Sequence, residues 1–343
     1  MFSHFRQSNQ DWEAERVYVR QGMIGKTLVL GAGGCFAQSF IRRCATEGIE
    51  VFGIGRSVKS TPFWNVPKDF RYWVLHLVNQ LPEVMKIVEL VRPEVIVNFA
   101  AQGEGAASFG DNAPDFFTTN TTALAKLCLS LRGKVKRFVQ IGSSEVYGSV
   151  REPATENTPL RPTSPYSISK AAFDQYLEIM WRTQQFPMNI IRPSNCYVEG
   201  QQLYRIIPKT IVSALKKEKL PLHGGGVAEK SYLHADDLSD AIIRILSKGK
   251  VGEVYNVGPD SPIAIRAVVS LICKIMGVPW DELVDEVGDR IGQDSRYHLN
   301  CDKIKELGWK HEIKLWQGLH RMVGWVQTYP ELLTMPTTYE HRV

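Results

Sequence analysis

The sequence has no C-x-x-C pair, because its six cysteines stand at 35, 44, 128, 196, 273 and 301. The spacing of a zinc site or a redox pair is therefore missing. Cys44, Cys128 and Cys273 fall inside apolar helical patterns, where a free thiol acts as a small hydrophobe; this usage suits a reducing cytoplasm. No apolar run reaches the roughly 18 residues that a membrane span needs. Long runs of one charge sign are also lacking. The formal net charge of +5 is spread along the chain, and its densest basic run, Lys216-Lys217-Glu218-Lys219, reads as a solvated helix end rather than a nucleic-acid footprint. The first 22 residues carry Arg6, Asp11, Glu13, Glu15 and Arg16 and have no apolar signal core, so they read as an N-terminal extension, a packing or dimer arm. Metal, membrane and nucleic acid thus drop out of the expectation. A globular chain of 343 residues remains, 44% hydrophobic and 22% charged.

What is present is alternation. Thr27-Leu28-Val29-Leu30, Glu50-Val51-Phe52-Gly53-Ile54, Val95-Ile96-Val97-Asn98-Phe99, Phe138-Val139-Gln140-Ile141 and Met188-Asn189-Ile190-Ile191 read as strands. Helical patterns at 83–91, 115–131 and 167–185 lie between them. Such a series predicts βαβ units and a parallel sheet. Past residue 192 the segments shorten, with an irregular stretch at 201–219, a helix opening at Asp236-Asp237, a strand at 254–257 and helices at 264–276 and 316–329. The expected fold is α/β: a Rossmann-like doubly wound parallel sheet with a smaller mixed α/β substrate-binding lobe. Its expected division is an extension (1–24), a dinucleotide-binding domain (25–191, with 235–260 returning to it) and a nucleotide-sugar-binding lobe (192–234 and 261–343).

Gly31-Ala32-Gly33-Gly34-Cys35-Phe36-Ala37 follows a strand and opens a helix. Glycine permits the tight turn, backbone amides at a helix N-terminus attract a pyrophosphate, and the small Ala37 permits close helix–strand packing. The second strand ends Ile54-Gly55-Arg56-Ser57, without the acid that would hold the ribose of NAD. Arginine beside a hydroxyl suits a 2′-phosphate and tilts the expectation from NAD towards NADP. Tyr166 and Lys170 stand four apart at the start of a long helix and so share one face. A nearby ammonium favours the tyrosinate, which can take a proton from a sugar hydroxyl. Gly142-Ser143-Ser144-Glu145-Val146-Tyr147-Gly148 puts two hydroxyls and a carboxylate directly after the fourth strand of the series.

Taken in this order and spacing, the glycine turn, Asn98-Phe99-Ala100-Ala101, Asn120, Ser143-Ser144, Tyr166 and Lys170 resemble the extended short-chain dehydrogenase/reductase family over residues 26 to about 328. Ser-Ser-Glu-Val-Tyr-Gly, Arg192-Pro193-Ser194-Asn195-Cys196-Tyr197, Arg205-Ile206-Ile207-Pro208 and 289–297 are most similar to nucleotide-sugar 4,6-dehydratases. The dTDP-glucose type has Asp where this chain has Ser144; the GDP-mannose type has Ser there. The resemblance implies Ser143, Ser144, Glu145, Tyr166 and Lys170 as catalytic residues. It implies cofactor contacts at Gly31, Gly34, Cys35, Phe36, Arg56, Ser57, Leu77, Ala100, Ala101, Asn120, Tyr166, Lys170 and Arg192. It implies substrate contacts at Gln102, Glu104, Asn195, Arg205, Ile207, Lys230, Arg290 and Tyr297, with Arg290, Lys230 and Arg205 on the diphosphate of a nucleotide-diphosphate hexose.

The chemistry so implied is oxidation at C4 by Tyr166, loss of the C5 proton to Glu145, departure of the C6 hydroxyl as water and return of hydride to C6. Ser144 is a poor acid for that departure, so Glu145 both removes and returns the proton, water relays it, or elimination stops at a 5,6-alkene. A decarboxylase, an epimerase and a non-catalytic NADP-binding protein are the alternative readings. A homodimer through the helices at 115–131 and 167–185 is expected by resemblance.

Overall fold

The computed structural model describes residues 24–57, 62–289, 292 and 294–341. Short apolar runs buried on both faces form its centre, as a parallel sheet between two helical layers requires. Its strands are β1 (Thr27–Leu30), β2 (Val51–Gly55), β3 (Arg71–Val74), β4 (Val95–Asn98), β5 (Arg137–Ile141), β6 (Met188–Pro193) and, late in the chain, β11 (Val254–Val257). They lie in the order β11-β6-β5-β4-β1-β2-β3, every neighbouring pair parallel. The order reverses between β1 and β4, where Leu30 stands beside Asn98. Ligands of open α/β sheets bind at such a switch point, beyond the carboxyl ends of the strands.

One face of the sheet is covered by α1 (Cys35–Thr46) and α7 (Ala235–Lys248), through Phe40, Ile41, Cys44, Leu238 and Ile242. The other carries α2 (Leu81–Val91), α4 (Leu124–Leu131) and α5 (Pro165–Gln184), through Val84, Val88, Leu127, Phe173 and Leu177. Both cores contain side chains with no exposed area at all. Burying such a side chain stabilises the fold by about 1.5–3 kcal/mol. Between α2 and α4 the short α3 (Ala113–Phe117) runs through a π-helical turn, Thr118–Ala123.

The smaller lobe packs α6 (Ile206–Lys216), α8 (Ile265–Met276) and α9 (Leu315–Thr328) around Ile207, Ile211, Val268, Ile272, Leu319 and Met322. Three strand pairs attach to it. β7 (Asn195–Tyr197) pairs with β10 (Tyr232–His234), β8 (Leu220–His223) with β13 (Val284–Val287), and β9 (Glu229–Lys230) with β12 (Ile263–Ala264).

Three details differ from the sequence expectation. β3 is a half-exposed edge strand, so it offered no apolar run to read. The stretch at 201–219 contains the regular helix α6, ending in a left-handed Lys217. Residues 261–343 do not all belong to the smaller lobe: Leu299, Cys301, Ile304 and Trp309 bury themselves in the core beneath the sheet, and Trp309 Nε1 donates to Asp237 O at 2.9 Å. Apolar side chains follow the nearest unfilled core, irrespective of chain order. The expected extension (1–24) lies, but for Ile24, outside the described residues.

Candidate active site

Gly31 has φ 73°, and a Cβ there would meet Ala100 N at 2.6 Å. Only glycine lets the turn after β1 pass this close to the end of β4. The next turn delivers Gly34 as the N-cap of α1 with no side-chain cap, so no cap side chain covers the helix's first amides. That suits a pyrophosphate. Cys35 is buried beside Val198 and Ala235, with its thiol pushed up to about 12 by burial, so it stays neutral. Phe36 packs against the same cluster. Arg56 and Ser57 are exposed at the end of β2, where Tyr72 Oη donates to Ser57 O at 2.7 Å. Leu77 packs against the α2 side of the sheet, and Ala100 and Ala101 lead out of β4.

The second cluster depends on where α5 starts. Ser164 caps it, accepting from Ser167 N at 3.1 Å, and Pro165 sits at its first turn. Tyr166 therefore occupies the first turn and Lys170 the next. Tyr166 N donates to the buried Ser108 Oγ at 3.0 Å. Lys170 Nζ donates to Ile141 O at 2.6 Å, at the very end of β5. From that same strand end the chain turns through Ser143 into a 3₁₀ turn, Ser144–Tyr147. Ser143 Oγ accepts from Glu145 N at 3.2 Å and so caps that turn. Ser144 is buried.

Burial pushes the Glu145 carboxyl up; Arg205 and Lys230 oppose this, while Glu104 and Asp294 add to it. Tyr166 is pushed up by burial and by the Glu145 carboxylate, against a side-chain hydrogen bond from Ser143. Lys170 is pushed down to about 8 by burial, with Asp174 opposing. The sequence predicts that Lys170 favours the tyrosinate. Within the protein alone the net push on Tyr166 is upward, from burial first and Glu145 second, so the Lys170 ammonium acts against both.

Two residues expected at the cofactor have other partners. Asn120, fully buried in the π-helical turn, accepts from Gln102 N at 2.8 Å and donates to Gln102 O and Ser169 Oγ, both at 3.0 Å. It braces the loop after β4 against α5. Arg192 is buried and pairs through Nε with Asp174 at 2.8 Å, and donates to Tyr147 Oη at 3.0 Å. Its guanidinium is thus committed below the site, joining β6 to α5 and the 3₁₀ turn. Removing one partner of a buried ion pair strands the other charge and costs about 3–5 kcal/mol. Asp174→Ala and Arg192→Ala are each expected to lose that much in urea unfolding.

On the smaller-lobe side, Arg205 Nη1 pairs with Glu104 Oε2 at 2.9 Å and Nη2 donates to Gly103 O. Gly105 follows, where a Cβ would stand 3.2 Å from Glu145 Oε2; its bareness lets this loop reach the 3₁₀ turn. Lys230 Nζ donates to Asp294 O at 2.7 Å and lies 3.4 Å from the centre of the Tyr297 ring. Asn195 has a buried Oδ1 with no hydrogen-bond partner among the described residues. Ile207 is in the smaller lobe's core, and Arg290 lies outside the described residues. Sequence reasoning missed Asp294, which accepts from Ser149, Thr163 and Tyr297 side chains at 2.6–2.7 Å and so ties three segments together. It also missed Asp174, although the Tyr166, Lys170, Asp174 spacing puts all three on one helical face.

A switch-point glycine turn with a tyrosine–lysine pair beside it defines an extended short-chain dehydrogenase/reductase. The chain belongs to the NAD dependent epimerase/dehydratase family, whose pattern matches residues 27–258. A trifunctional UDP-glucose 4,6-dehydratase/UDP-4-keto-6-deoxy-D-glucose 3,5-epimerase/UDP-4-keto-L-rhamnose-reductase of Arabidopsis thaliana is 34% identical over 245 residues, 69% of this chain and 36% of its own length. The chain thus spans about a third of that plant relative. The dTDP-D-glucose 4,6-dehydratase of Mus musculus is 32% identical over 257 residues, 73% of this chain and 70% of the relative. Among solved structures, the dTDP-glucose 4,6-dehydratase of Bacillus anthracis in complex with NAD has a TM-score of 0.79 at 30% identity, covering 90% of this chain and 98% of its own. The UDP-glucose 4-epimerase of Thermus thermophilus shares the fold, with a TM-score of 0.82 at 24% identity over 89% of this chain and 99% of its own.

Proposed function

We propose that the protein is a nucleotide-sugar 4,6-dehydratase, converting a nucleotide-diphosphate hexose to the 4-keto-6-deoxy sugar. One observation carries this reading: a carboxylate, Glu145, held next to Ser143 and Tyr166 by the turn that ends β5. Oxidation and re-reduction at C4 need a base and a hydroxyl, but no second base. Elimination across C5 and C6 does. A bound nicotinamide dinucleotide supplies the hydride acceptor for C4 and the donor for C6. Tyr166 takes the C4 hydroxyl proton, and Ser143 orients that oxygen. The resulting ketone acidifies the C5 proton, which Glu145 removes. The C6 hydroxyl then departs as water.

Ser144 supplies no acid for that departure. The upward push on Glu145 bears on this step, because a carboxyl with a raised pKa is a stronger base when ionised and holds its proton to higher pH than an ordinary carboxyl. The same group therefore serves in both directions. Lys230, on the Tyr297 ring, and Arg205 are the cations for the diphosphate, and the unpartnered Asn195 Oδ1 is an acceptor for the sugar nucleotide. Arg56 is exposed at the end of β2, in a stretch whose sequence carries no acid, which supports NADP over NAD. α4 and α5 expose Leu129, Ile168 and Ile179, which supports a homodimer through that face.

The test is a panel of dTDP-, UDP-, GDP- and CDP-hexoses, with the matching hexuronates, and NAD or NADP, read by mass spectrometry. Loss of one water is expected. Loss of carbon dioxide would make the protein a decarboxylase, and an isomer of unchanged mass an epimerase.

A further inference from the structure

Residues 335–341, Met-Pro-Thr-Thr-Tyr-Glu-His, follow the short 3₁₀ helix Pro330–Thr334 and leave the smaller lobe. Their burial alternates: Met335, Thr337, Tyr339 and His341 are partly buried, while Pro336, Thr338 and Glu340 are exposed. That is the pattern of an extended chain lying on a surface. Seven extended residues reach about 20 Å, enough to cross between lobes.

Both ends of this crossing are anchored. Leu332 is buried in the smaller lobe's core, and Leu333 and Met335 pack against it. At the far end, His341 Nε2 lies 2.8 Å from Asp115 Oδ2 on α3, in the dinucleotide-binding lobe. Tyr339 Oη lies 3.1 Å from His341 Nδ1. A neutral imidazole satisfies both bonds, accepting from the tyrosine and donating to the carboxylate. Between the anchors the segment touches the neighbours of site residues. The Tyr339 ring meets Tyr204 edge-on at 5.2 Å, and Tyr204 lies under the Arg205 guanidinium that pairs with Glu104. The His341 ring lies 6.0 Å from Phe116, whose own ring lies 6.3 Å from that of Tyr166. The Tyr339 hydroxyl also lies in the field of Arg56, at the end of β2.

We propose that residues 335–341 are part of the active site: a strap that closes the cleft mouth over cofactor and sugar, with Tyr339 and His341 as its latch. Phe116 couples the latched state to the Tyr166 ring, so His341 and Asp115 are positioning residues for the catalytic tyrosine. The strap must lift for substrate entry and product release, and its closure keeps water from the oxidised sugar. This proposal rests on the reading of the cleft given under the proposed function.

The test uses the full chain carrying Tyr339→Ala with His341→Ala, and separately Asp115→Ala. Hydrogen exchange on the protein alone reads residues 103–105 and 113–117; stopped-flow fluorescence reads release of NADH and NADPH. Faster exchange in both segments is expected, with release accelerated about tenfold, the worth of one aromatic pair or hydrogen bond. Exchange unchanged in both variants would overturn the strap. Faster exchange with unchanged release would remove its role in retention and overturn the proposal in that form. If both change while no nucleotide hexose loses water in the parent, the strap stands and the dehydratase reading falls.

Discussion

Tyr166→Phe is expected to abolish oxidation at C4, lowering turnover about 10³-fold or more, within the range that general acid–base groups contribute. The substitution removes one hydroxyl and leaves the ring. The edge contact with Phe116 persists, as do the cap at Ser164 and the bond from Tyr166 N to Ser108, which is made by backbone. Stability should therefore stay within about 1 kcal/mol of the parent. The fold and the dinucleotide crevice survive while the base is gone. The measurement is nicotinamide absorbance on mixing with substrate, beside a urea unfolding curve. Turnover equal to the parent's would show that Tyr166 is not the base.

Glu145→Gln separates the two halves of the reaction. Its amide keeps the size of the side chain but takes no proton from C5. Oxidation at C4 is expected to proceed and water loss to fall by about 10²–10⁴-fold, so a 4-keto hexose of undiminished oxygen content accumulates with reduced nicotinamide. Mass spectrometry of the quenched mixture distinguishes this from loss of the first step. A variant that still released the dehydrated product at the parent rate would exclude Glu145 as the C5 base.

The pH dependence of kcat/KM in the parent follows from the same groups. Glu145 must be ionised to act as base. Its carboxyl is pushed up, so activity falls at a higher pH on the acid side than for an ordinary carboxylate. Lys170 must be charged to favour the tyrosinate. It is pushed down to about 8, so activity declines as pH rises through about 8. Glu104→Gln removes a neighbouring negative charge and leaves Arg205 uncompensated. Both effects stabilise the Glu145 carboxylate and move the acid limb to lower pH.

Much of the fold was legible because its signals are local. A strand buried on both faces must be apolar throughout, so β1, β4, β5 and β6 stood out as text; half-exposed β3 did not. The glycine turn, the Ser143-Ser144-Glu145 run and the Tyr166–Lys170 spacing were equally local, since a turn or one helical face dictates each. Other roles needed three dimensions. Nothing near Arg192 in sequence reveals that its guanidinium pairs with Asp174, 18 residues away on α5. Nothing near Asp294 announces three donors from segments up to 145 residues distant.

By itself, then, the sequence determined the alternating elements, the turn geometry that only glycine permits, and the identity and order of the groups around Tyr166. Backbone conformation and periodicity are properties of adjacent residues. Tertiary structure alone decided which charges pair with one another, as Arg192 does with Asp174 and Arg205 with Glu104. It also decided which acids raise Glu145 and how residues 335–341 come to lie across the cleft. Those outcomes depend on distances between residues far apart in the chain, and burial magnifies each such charge by removing the water that would otherwise screen it.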